Sequence, residues 1–112
     1  MLPKINRLRK TKEIKRVFKE GGGHREGFLF LRLVKNNLQI SRFGFVVSQG
    51  VAKKSTLRNK IKRRLRELVR TRLPRIKTGF DVVIIAQPGS GTKNFQDTEK
   101  NVENLFKKAK LF

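Results

Sequence analysis

Residues Val51 to Arg72, VAKKSTLRNKIKRRLRELVRTR, carry the pattern that most restricts the fold. Leu57, Ile61, Leu65, Leu68 and Val69 recur at steps of three and four, the spacing of one apolar stripe on an α-helix. Between Arg58 and Arg66, every position off that stripe is Arg, Lys or Asn. Such a helix must bury one side, so the rest of the chain has to supply an apolar layer for it. Its other side is a dense cationic surface.

The imbalance runs through the whole chain. Against 29 Lys and Arg stand 8 Asp and Glu, leaving a formal charge of +21 on 112 residues. Self-repulsion on that scale opposes compaction, so a polyanionic partner is expected. Nucleic acid is the first candidate and a membrane surface the second. Twelve basic residues fall between Lys53 and Lys77, opposed by Glu67 alone. Neutralising several phosphates releases counterions, so affinity should drop steeply with salt.

The membrane reading is the weaker one. The stripe is Ile, Leu and Val without Trp or Phe, and the neighbouring strands need it for their core. The longest unbroken apolar run, Val82 to Ala86, is far short of the roughly 20 residues a spanning helix needs. The start, MLPKINRLRK, is positive but lacks an apolar segment behind it, so no secretory signal is expected. With no cysteine, disulfide scaffolds and thiolate zinc sites are excluded, which fits a reducing compartment such as the cytoplasm.

The length suits one domain, residues 1–112, preceded by a basic, unpatterned arm over residues 1–10. Thr11 reads as an N-cap to a short helix bearing Ile14, Val17 and Phe18, which Gly21-Gly22-Gly23 ends. Phe28 to Lys35 and about Ser41 to Ser48 read as strands of an antiparallel hairpin turning at Asn36-Asn37, with Gly44 marking a bulge or close approach. Ser55 or Thr56 is placed to cap the basic helix, and Pro74 to stop it. Phe80 to Ala86 is a continuous apolar run, the mark of a strand covered on both faces. Asn94 and Asp97 resemble a capping box before a last amphipathic helix carrying Val102, Leu105, Phe106 and Ala109. The reading is an α+β fold in the order α-β-β-α-β-α, with room for one more short strand.

Candidate binding residues concentrate at the start of the basic helix. Arg58, Lys60, Lys62, Arg63 and Arg66, with Lys53 and Lys54 ahead of them, can meet phosphates, and Asn59 can read a base edge or a ribose hydroxyl. All nine aromatics are Phe, and one or two partly exposed rings could stack single-stranded bases. Catalytic and metal constellations are thin. His24 is the lone histidine, in a Gly-rich loop, and Glu99-Glu103 is an acid pair expected to face water. No catalytic residue and no metal-ligand set is assigned, so any chemistry should sit on a partner.

Several segments together resemble the protein subunit of bacterial ribonuclease P over nearly the whole chain. They are Asn6-Arg7-Leu8, Val17-Phe18, Phe43-Gly44-Phe45-Val46-Val47-Ser48, Arg58-Asn59-Lys60-Ile61-Lys62-Arg63 through Arg66-Glu67, Asp81 to Ala86, and the terminal Leu-Phe-Lys-Lys-Ala helix. The resemblance implies an α/β sandwich with the basic helix in a left-handed β-α-β crossover. It implies a catalytic partner, ribonuclease P RNA, that removes the 5′ leader of precursor tRNA with Mg²⁺, one protein serving each RNA. It implies RNA contacts through Arg58, Asn59, Lys60, Lys62, Arg63 and Arg66, and a leader groove between the first helix and the sheet involving Phe18, Ile14 and Leu31. Ile14 stands where the family usually has Phe, Leu31 where many members have Tyr, and Gln49-Gly50 where a Lys-Lys pair is usual. A ribosomal or general RNA-binding protein outside any enzyme is the alternative.

Overall fold

A computed structural model describes residues 2–90 and 94–112. The elements are α1 (Thr11–Glu20), β1 (Gly22–Glu26), β2 (Leu29–Lys35), β3 (Arg42–Val47), α2 (Ser55–Arg72), β4 (Phe80–Ala86) and α3 (Phe95–Lys108). Short 3-10 turns occupy Lys4–Asn6 and Leu73–Arg75. This is the expected α+β order with one added strand. β1 reads GGHRE, with no apolar residue, so hydrophobic periodicity could not reveal it. It is held by backbone pairing to β2, which places His24 opposite Leu31 in a strand instead of a loop. Gly27, at φ 58°, makes the left-handed turn between the two.

The sheet order is β1-β2-β4-β3, so β2 and β3 do not form the expected hairpin. β4 lies between them, antiparallel to β2 and parallel to β3. Val82, Val83 and Ile84 are fully buried, and a strand apolar on both faces gains most where both its faces are covered. The turn chemistry at Asn36-Asn37 is real but serves another end. Asn37 adopts φ 59°, while Asn36 Nδ2 donates to Asp81 Oδ1 and to the Ile40 carbonyl, tying the loop to β4. α2 makes the β3-to-β4 crossover that a parallel pair requires.

Alternation along the strands sorts side chains onto two faces. Leu29, Leu31, Phe43, Val47, Val82, Ile84 and Ala86 meet Ile61, Leu65, Leu68 and Val69 of α2 and Val102, Leu105 and Phe106 of α3, forming the main core. On the opposite face, Val83 packs with Leu8 and with Val17 of α1, flanked by Ile14, Val34, Val46 and Ile85.

Residues 2–10 of the basic arm dock against the sheet. Leu2 and Leu8 are buried, Arg7 bridges to Phe43 on the edge of β3, and Asn6 Nδ2 donates to the Ser41 carbonyl at 2.9 Å. Two apolar side chains among many charged ones are a weak signal in sequence, yet burying each is worth about 1.5–3 kcal/mol. Gly44 permits this docking: a Cβ there would stand 3.3 Å from the Leu8 carbonyl oxygen, the close approach expected of it.

Helix caps divide. Asn94 caps α3 as expected, accepting from the Asp97 amide at 2.8 Å. For α1 and α2 the cap positions are Lys10 and Lys54, without side-chain cap bonds, and Thr11 and Ser55 are the first helical residues. Both helix starts are exposed, so water can satisfy their free amides.

Candidate nucleic-acid interface

α2 buries Ile61, Leu65, Leu68 and Val69, and the 3.6-residue repeat then turns Asn59, Arg63 and Arg66 outward along the opposite side. Leu57, assigned to the stripe, is 37% exposed in the first turn of α2. Lys53, Lys54 and Lys60 are exposed as well, and Lys62 is half-buried. Arg58 differs from its neighbours. Its Nη1 donates to the carbonyls of Ala52 and Lys53 at 2.9 and 2.8 Å, clamping the loop that leads into α2.

The far end of α2 is structural. Arg72, only 9% exposed, pairs with both Glu99 and Glu103 of α3, and Arg75 also reaches Glu103. The two acids expected to face water therefore join α2 to α3. Burial pushes the Glu103 carboxyl up, but the Arg72 and Arg75 guanidiniums outweigh it and hold it below the usual carboxylate range. Arg70 is engaged by Glu67.

The acids are largely spoken for. Glu13 and Asp81 pair with Arg42, Glu20 with Arg16, Glu26 with Lys108, Glu67 with Arg70, and Glu99 and Glu103 with Arg72. No ion pair of this set involves Lys53, Lys54, Lys60, Lys62, Arg63 or Arg66, so the cationic start of α2 is left for an external anion. Among the described residues no group of three or more His, Cys, Asp or Glu side chains converges on one point. Seven of the eight acids are held by Arg or Lys, and the carboxylates of the described residues are not arranged as a set that fits Mg²⁺.

The second surface lies on the α1 side of the sheet. Phe18 is 39% exposed, and Ile14 is half-buried beside Leu8 and Val83. Leu31 does not join them. It is fully buried in the main core, on the face covered by α2 and α3. Alternation places its neighbours Phe30 and Arg32 on the α1 side, opposite Ile85 and Val83. Arg32 lies over the Phe18 ring, donates from Nη2 to the Gly21 carbonyl at 2.9 Å, and keeps a buried Nε without a hydrogen-bond partner. Phe30, one of several rings clustered in the sequence, and Arg32, which sequence reasoning missed, thus lie on the Phe18 side of the sheet. Only the register of β2 against β4 reveals them, since FLFLRLVK shows no clean alternation.

A four-stranded sheet carrying a cationic helix on one face and an exposed Phe18 beside Arg32 on the other has the make-up of a small nucleic-acid-binding protein. The comparisons narrow this. The Ribonuclease P family model matches residues 2–110, and the chain belongs to that family. It is 39% identical over 109 residues to the ribonuclease P protein component of Synechocystis sp., covering 96% of this chain and 88% of that one. It is also 39% identical over 110 residues to the component from Clostridium botulinum, covering 97% and 98%. Its structure resembles the RNase P protein of Staphylococcus aureus at a TM-score of 0.89, with 26% identity over 96% of this chain and 97% of that one. For the RNase P protein of Thermotoga maritima the TM-score is 0.83, with 32% identity over 91% and 96%. The chain is accordingly a protein component of a ribonucleoprotein enzyme, with an RNA partner.

Proposed function

We propose that this chain binds ribonuclease P RNA through the outward side of α2 and receives the 5′ leader of precursor tRNA in the groove between α1 and the sheet. The RNA carries the catalysis and the Mg²⁺, and the chain supplies affinity and position, one protein to each RNA. The observation that carries this reading is the separation of charge. The acids are engaged by other basic side chains, while Asn59, Lys60, Arg63 and Arg66 stand open on one rigid helix. Preset cations of this kind neutralise phosphates without costly reordering. The exposed Phe18 ring, beside the half-buried Arg32, offers a flat surface on which an unpaired base can stack.

The test is cleavage of a precursor tRNA by a bacterial ribonuclease P RNA at low Mg²⁺, with and without the protein. Stimulation, with tighter binding of precursor than of mature tRNA, is expected. No stimulation sinks the reading. Equal affinity for precursor and mature tRNA would favour a general RNA-binding protein instead.

A further inference from the structure

A large cavity opens where Arg63 and Arg66 of the outward side of α2 face the N-terminal segment, with Ile14 of α1 at its margin. It is a cleft of about 680 Å³ beside the edge of β3, between α2 and the N-terminal segment that docks on that edge. Leu8, Ile14, Phe43 and Phe45 line its apolar part. Arg7 and Arg9 line it from the N-terminal segment, and Arg63 and Arg66 from α2. The wall is built, not incidental. Arg7 Nε is tied to the Leu2 carbonyl at 2.8 Å, the Leu8 amide donates to the Phe43 carbonyl at 2.9 Å, and Gly44 lets Leu8 approach the strand. Glu67, the one acid among the described lining residues, pairs with Arg70.

An apolar floor between two pairs of arginines is chemically lopsided. A simple phosphate would leave the floor dry and unused, and an apolar peptide would leave four guanidiniums unanswered. A nucleotide answers both, with its base on the floor and its phosphates at the rim, and the volume falls within the roughly 300–1,000 Å³ range of small-ligand sites. We propose that this cleft receives one unpaired nucleotide of the RNA subunit, turned out of its stack, while the outer side of α2 holds the flanking backbone. A base in a duplex could not enter, so the site selects an unpaired position by shape.

This inference rests on the RNA-binding reading above, and the experiment separates the two. The full chain, labelled with ¹⁵N, is titrated with 5′-AMP, 5′-UMP and ribose 5-phosphate. Saturable shifts are expected at the amides of Leu8, Gly44, Phe45 and Arg63. Ribose 5-phosphate should bind at least tenfold more weakly, and Arg63→Gln and Arg66→Gln, both at exposed positions, should abolish the effect. The same variants should weaken binding to ribonuclease P RNA alone by more than Lys60→Gln does. Equal affinity for ribose 5-phosphate, or shifts confined to other residues, overturns the cleft while leaving RNA binding intact. A loss seen only when the substrate carries a 5′ leader also overturns it, by assigning the cleft to substrate. Failure to bind the RNA at all removes the reading beneath it.

Discussion

The guanidinium carbon of Arg32 lies 5.9 Å from the centroid of the Phe18 ring, joining the second strand to the first helix across the groove. The ring keeps an exposed side, and the cation keeps it in place. Phe18→Ala should therefore lower affinity for leader-bearing precursor tRNA by about 5- to 150-fold, the worth of one stacked base. Affinity for mature tRNA should not change. Equilibrium binding of both substrates to the reconstituted particle checks this. Leu31→Ala should act otherwise, costing about 2–5 kcal/mol of stability as a core truncation.

Arg63 and Arg58 carry the same charge five residues apart on α2, yet their roles differ. Arg63→Ala should reduce the salt slope of RNA binding by about one unit and leave stability unchanged, because the side chain is exposed. Arg58→Ala removes the two hydrogen bonds that hold the Ala52-Lys53 loop and should cost about 1–2 kcal/mol in urea unfolding. Equal salt slopes for wild type and Arg63→Ala would mean that this ridge does not face phosphate.

The join between α2 and α3 should be sensitive to acid. Glu103 titrates below the ordinary carboxylate value of 4.5 because Arg72 and Arg75 outweigh its burial. A folded-state value below the unfolded one contributes stability that is present above about pH 4.5 and is lost as pH falls through the folded value. Denaturant titrations between pH 3 and 7 should show this loss, and Glu103→Gln should flatten it. At neutral pH Glu103→Gln should be less stable than the parent, since Arg72 would keep only Glu99 as a charged partner.

The junction between α1 and β2 leaves no space. A Cβ at Gly21 would fall 2.4 Å from the Val17 carbonyl oxygen and 2.8 Å from that of Leu33. Both are backbone atoms and cannot swing aside, so Gly21→Ala should cost about 1–3 kcal/mol. Gly22→Ala meets nothing within 4 Å and serves as the control, with thermal unfolding as the readout.

Local pattern was enough to find α2, α3 and β4 and to orient their buried sides, because each needs only the periodicity of its own residues. Ile61, Leu65, Leu68 and Val69 went inward as their spacing requires, and the cationic side followed by elimination. The family was likewise legible, in the run from Arg58 to Glu67. Pairing decided the rest. Nothing in the apolar runs of β2 and β3 says that β4 will separate them, since strand partners are chosen by which arrangement buries most surface. That choice sets the register, and the register turned Arg32 to Phe18 and buried Leu31. Charge behaved the same way. Sequence determined how much positive charge the chain carries, while only the tertiary structure decided which cations are spent on Glu99, Glu103 and backbone carbonyls and which face outward. A charge is free or engaged according to what lies within hydrogen-bond reach, and that is a property of packing, not of composition.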